Sequence, residues 1–156
     1  MIILGIDPGT VRVGFGVVAS EKGVLACVAR GILPLPPAEG SARLSGIERE
    51  LELLLSRHRP DRVGIERLFF AKNKKTALAV AEARGVLVNT ILKHGIPLVE
   101  LTPNEVKVAV TGSGTASKQG VAKMVSLLLR VPVSSLLDDA TDALAVAIGA
   151  SQQPLY

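Results

Sequence analysis

Residues 2–33, IILGIDPGTVRVGFGVVASEKGVLACVARGIL, decide the fold. Apolar and β-branched runs over 2–6, 14–19 and 24–33 are broken by Pro8-Gly9 and Lys22-Gly23, which turn a chain rather than extend it. Short strands joined by tight turns pair antiparallel, so the chain opens as three adjacent strands. The rhythm then changes. After Pro34-Leu35-Pro36-Pro37, the residues Leu44, Ile47, Leu51, Leu54 and Leu55 recur at helical spacing and predict a helix over 41–58. A strand over 62–65 ends at Glu66. The next helix is predicted over 74–93, with Ala77, Val80, Ala81, Val88, Ile91 and Leu92 as its apolar stripe and Gly95 as its stop. Residues 96–101 read as a strand. Thr102-Pro103-Asn104-Glu105 follows the capping-box pattern with Pro at the first helical position, so a helix starts directly after that strand. Small residues over 111–117 form a loop before a helix at 118–129, and a last helix covers 136–150. The expected fold is α/β, a mixed sheet whose first three strands are antiparallel, flanked by helices on both faces in a single domain over 1–156.

Composition narrows the function. With 156 residues, 48% of them hydrophobic, the chain is long enough to bury an ordinary core without a staple. Cys27 stands alone, which excludes an internal disulfide framework or a zinc ribbon and fits a reducing cytoplasm. The opening residues lack a signal-peptide pattern, and no stretch approaches the ~20 apolar residues of a membrane span. Aromatic stacking on a nucleic acid would rest on Phe15, Phe69, Phe70 or Tyr156. The net charge of +4 is unevenly spread: eight acids cancel eight bases over 1–66, whereas ten bases face six acids over 67–156. Arg67, Lys72, Lys74 and Lys75 cluster beside Phe69 and Phe70, and Lys107, Lys118, Lys123 and Arg130 accompany Glu105 alone over 103–130. Such clusters suit either a solvated basic face or a polyanion surface.

Carboxylates mark the other half of the chemistry. Asp7 closes the first strand; alone, it also suits a turn before Pro-Gly. Glu66 ends a buried strand ahead of a basic segment, where a carboxylate needs a partner. Asp139 and Asp142 lie three apart on nearly one face at the start of an apolar helix, and Asp138 is a further candidate by spacing. Capping explains one such acid better than two. Oxygen donors without His or Cys suit hard cations such as Mg²⁺ or Mn²⁺, and two ions about 4 Å apart can clamp a phosphodiester. An acidic crevice on a basic flank is what a metal-dependent nuclease needs. A phosphate-binding ATPase shares the opening Asp-x-Gly-Thr, but it requires a second lobe that 156 residues cannot hold.

The segments Ile3 to Gly9, Ile65 to Asn73, Ala83-Arg84-Gly85 and Asp139 to Ala145 together resemble the RuvC family of bacterial Holliday-junction resolvases, of the ribonuclease H-like superfamily. The resemblance implies a five-stranded mixed sheet and a homodimer that nicks two opposed strands of a four-way DNA junction in recombination and repair. It implies that Asp7, Glu66, Asp139 and Asp142 are metal ligands for two Mg²⁺ per subunit, with Mn²⁺ able to substitute. Lys107 and Lys118 match the lysines near the scissile phosphate. Phe69 matches an aromatic that contacts bases, and Phe70 is a DNA-contact candidate beside it, the one that suits the core if only one of the pair lies outside. Arg67, Lys72, Asn73, Lys74, Lys75, Arg84, Lys118 and Lys123 would contact DNA, and the branch-migration proteins RuvA and RuvB would be partners. A small ribonuclease H-like nuclease acting on RNA is the alternative. So is a non-catalytic junction-binding subunit, which would not need all four acids.

Overall fold

The computed structural model describes residues 1–9, 11–68, 74–132 and 138–154, with side chains described except at 74, 75 and 138. Its elements are β1 (Ile2–Pro8), β2 (Val13–Glu21), β3 (Val24–Ile32), α1 (Gly40–His58), β4 (Arg62–Glu66), α2 (Lys74–Lys93), β5 (Leu98–Leu101), α3 (Pro103–Thr111), α4 (Lys118–Leu129) and α5 (Asp138–Ser151). Strands run in the order β3-β2-β1-β4-β5 in one five-stranded sheet. The β1–β2 and β2–β3 pairs are antiparallel, and the β1–β4 and β4–β5 pairs are parallel. Lys22 and Gly23 both adopt positive φ, 50° and 82°, which matches a tight hairpin to the twist of β2 and β3.

Side chains alternate across each strand and so build two cores. Leu4, Ile6, Val13, Val17, Val63 and Ile65 pack with Ile47, Leu51, Leu54 and Leu55 of α1 and Ala83, Leu87 and Ile91 of α2. On the opposite face, Ile3, Val18 and Leu101 pack against α3, α4 and the apolar length of α5. That second face is built around glycine. A Cβ on Gly5 would lie 2.0 Å from the carbonyl oxygen of Ala143, and one on Gly64 would lie 2.7 Å from the Ala150 methyl. Gly14 and Gly16 likewise lie against Asp139 and Leu144. Helix α5 therefore rests on strand backbone. Its far end is held by Arg62, only 1% exposed, whose guanidinium donates to the carbonyl oxygens of Ala150 at 2.7 Å and Gln153 at 2.6 Å.

Several expectations shift. On α2 the fully buried residues are Ala83, Leu87, Thr90 and Ile91, whereas Leu92 of the expected stripe is 58% exposed. The helix is apolar on several sides, and its contact with α1 and the sheet selects the face. Strand β5 starts at Leu98, not 96, since Pro97 has no N–H for the ladder. Phe15, offered above for stacking, packs against the α1–α2 core, with Gly31 under its ring. Residue 136, the expected start of α5, lies outside the described residues, as do Phe69, Phe70, Lys72, Asn73 and Tyr156.

Candidate active site

Two strands and one helix deliver the carboxylates to one edge. Asp7 follows Gly5 by two residues and Glu66 follows Gly64 by two, so both side chains share the sheet face on which α5 lies. Asp7 stands opposite Gly14 in the β1–β2 register, and a Cβ on Gly14 would be 2.2 Å from the main-chain oxygen of Asp139. The first turn of α5 thus sits beside Asp7, and Asp142 follows one helical turn later.

The electrostatics follow from this convergence. Asp7 is pushed up to about 7, first by burial and then by Asp142, Glu66 and Asp139, with Lys118 pulling the other way. Burial, followed by Asp142, also raises Glu66, which Lys107 counteracts. Each carboxylate makes its neighbours harder to ionise.

Helices α3 and α4 bring the cations. The side-chain oxygen of Thr102 accepts from Glu105 N at 3.1 Å while Glu105 Oε2 accepts from Thr102 N at 2.7 Å, so α3 starts where β5 ends. The loop after α3 turns at Gly112 (φ 77°) and folds back over Asn104, which a Cβ on Gly114 would meet at 2.1 Å. Ser117 then caps α4, accepting from Gly120 N at 3.0 Å. Lys118 in its first turn places Nζ 3.2 Å from Asp142 Oδ2. A cleft of about 230 Å³ results, lined by Glu66, Lys107, Lys118 and Asp142 with Pro103, Val106, Val121 and Ala145.

This donor set fits a hard divalent cation. It consists of carboxylate oxygens alone, it represses its own ionisation, and an ammonium already stands beside Asp142. No three His, Cys, Asp or Glu side chains among the described residues are gathered into a preformed cage.

The remaining predicted residues divide. Arg67 and Lys123 are exposed. Arg84, expected on DNA, makes these contacts within the chain: its Nε donates to the main-chain oxygen of Glu66 at 3.2 Å and its Nη2 pairs with Glu100. The side chains of Lys74, Lys75 and Asp138 are outside the described residues. Sequence reasoning missed Glu100 and the glycines under α5. The signal for the glycines was present: Gly5-x-Asp7 and Gly64-x-Glu66 each place glycine two residues before the acid, on the same strand face.

A family model described as crossover junction endodeoxyribonuclease RuvC matches residues 3–150. The protein of that name from Syntrophomonas wolfei is 44% identical over 149 residues, covering 95% of this chain and 87% of that one. Its counterpart from Roseiflexus sp. is 46% identical over 151 residues, covering 93% and 87%. Among solved structures, Thermus thermophilus RuvC in complex with a Holliday junction substrate matches with a TM-score of 0.88 at 31% identity, covering 97% of this chain and 93% of that one.

Proposed function

Because the chain belongs to the RuvC family of crossover junction endodeoxyribonucleases, hydrolases of DNA, we propose that it resolves Holliday junctions with the acidic edge of its sheet as the catalytic centre. The observation that carries this reading is the convergence of Asp7, Glu66, Asp139 and Asp142, from three separate segments, on one edge flanked by Lys107 and Lys118. The T. thermophilus relative of the same fold is seen with a Holliday junction substrate. The family favours DNA over the RNA-acting alternative, and four intact acids speak against a non-catalytic subunit.

Enzymes of this family are metal-dependent nucleases, and here Asp7, Glu66, Asp139 and Asp142 would hold two Mg²⁺, with Mn²⁺ able to replace them. When bound, the metal supplies an activated water and charge stabilisation at the phosphate. The protein does the rest. Lys118, poised on Asp142, and Lys107, beside Glu66, offer ammonium donors to the phosphate oxygens once the carboxylates have other counter-charges. In-line attack by water breaks the bond to the 3′-oxygen and leaves a 5′-phosphate and a 3′-hydroxyl. Arg67, Lys72, Asn73, Lys74, Lys75 and Lys123, with Phe69 and Phe70, would contact the junction on this reading. A homodimer would place one centre on each of two opposed strands, with RuvA and RuvB as partners in the cytoplasm. Among the described residues no helix is long and apolar enough to cross a membrane.

Cleavage of a synthetic four-way junction in Mg²⁺ and in Mn²⁺, against linear duplex, tests the reading. We expect paired nicks in the junction and little cutting of the duplex. Asp7→Asn should abolish cleavage and leave junction binding intact. Equal cutting of both substrates, or normal cleavage by the variant, would overturn the assignment.

A further inference from the structure

Glu66 occupies an unusual place in the sheet. The β1–β4 ladder ends at the pair Ile6 and Ile65, so Glu66 is one residue beyond the last support on that side. On the other side it pairs with Leu101, whose oxygen accepts from Arg67 N at 2.8 Å. Its carboxylate faces α5, and from the opposite face Arg84 of α2 reaches its main chain. Arg84 Nε donates to the Glu66 carbonyl oxygen at 3.2 Å, while Nη2 is engaged by the Glu100 carboxylate one residue before the end of β5. With its side chain only 20% exposed, Arg84 is committed to these contacts.

We propose that Arg84 is a positioning residue for Glu66: its guanidinium ties the end of β4, unsupported on its β1 side, to Glu100 of β5 and to α2, and so fixes where the Glu66 carboxylate stands. The inference rests on the reading of Glu66 as a metal ligand. The planar guanidinium suits the task because its donors diverge in a fixed plane and can serve a carbonyl and a carboxylate together. An ammonium at the same place can approach either acceptor but does not hold the angle between them. Glu100 aims the guanidinium, much as second-layer carboxylates orient the groups that bind a metal.

The experiment compares wild type, Arg84→Ala, Arg84→Lys and Glu100→Gln in three measurements. These are single-turnover junction cleavage at saturating protein, junction affinity in EDTA, and the Mg²⁺ or Mn²⁺ concentration that half-maximally raises the melting temperature without DNA. For Arg84→Ala we expect cleavage slower by about 10–100-fold and a similar rise in the metal required, the usual cost of removing a second-layer partner, with junction affinity unchanged. Arg84→Lys should recover part of both losses, and Glu100→Gln should lose less than Arg84→Ala. Weaker junction binding with unchanged saturated rate and metal requirement would make Arg84 a DNA contact and overturn the proposal. No change in any measurement would overturn it too. Should Arg84→Ala not fold, the same criteria apply to Arg84→Lys and Glu100→Gln. Failure of the wild type to cut junctions would sink the functional reading instead, and the metal titration without DNA would still judge the latch.

Discussion

Asp7 holds a proton in the metal-free protein up to about pH 7 because burial and three neighbouring carboxylates oppose its charge. Its ordinary value is 3.8, so between about pH 4 and 7 the folded chain binds a proton that the unfolded chain has released. Stability must then fall as pH rises through that window and level off above it. Asp7→Asn removes the ionisation without removing the bulk. At about 1.4 kcal/mol per pH unit, and allowing for relaxation of the coupled acids, the variant should be about 2–4 kcal/mol more stable than wild type at pH 8 in EDTA. The difference should vanish near pH 4, as urea denaturation at both pH values would reveal. Identical curves would mean that Asp7 ionises freely. With a divalent cation present, the carboxylates gain their counter-charge and the advantage of the variant should reverse.

At the scale of elements, α5 and the strands beneath it act as one part. Gly5→Ala drives a methyl to 2.0 Å from the Ala143 carbonyl oxygen, and backbone rather than a flexible side chain must yield. Overpacking of this kind costs about 1–3 kcal/mol, and it tips the helix that carries Asp139 and Asp142 away from Asp7. Leu51→Ala, at a fully buried site in the α1 core, should cost about 2–5 kcal/mol yet leave those acids in place. We therefore expect single-turnover cleavage by folded protein to drop sharply in Gly5→Ala and to persist in Leu51→Ala, with melting curves recording the stability loss in both. These elements also show where sequence reading stops. The strands, the Thr102 cap and the placement of Asp7 and Glu66 were legible because period and cap chemistry are local. The buried face of α2 was not, since Leu92 and Ile91 are equally apolar and only the packing partner separates them. Arg84 was placed on DNA by the resemblance alone; its pairing with Glu100, sixteen residues on and in a different element, had no local signal.

Over the whole molecule, the site acids mask a larger basic excess. Setting aside the four carboxylates of the candidate site leaves 18 bases against 10 acids, or +8, in place of the nominal +4. Junction binding should therefore be strongly salt-dependent. With Arg67, Lys107, Lys118 and Lys123 each meeting one phosphate, the log–log slope of affinity against salt should be about −3.6 or steeper at ~0.9 per contact. A slope near zero for Asp7→Asn, read by fluorescence anisotropy, would place binding elsewhere. The glycine bed beneath α5 gives the molecule two unequal sides. Under α1 and α2 the sheet meets its helices through interchangeable hydrocarbon, which tolerates repacking when volume is kept. Under α5 strand backbone bears on helix, and any added atom moves a carboxylate. An engineer seeking a hardier nuclease can repack the hydrocarbon of the first side so long as Arg84 is kept, whereas the second behaves like the bed of a lathe, where flatness is the tolerance of the tool.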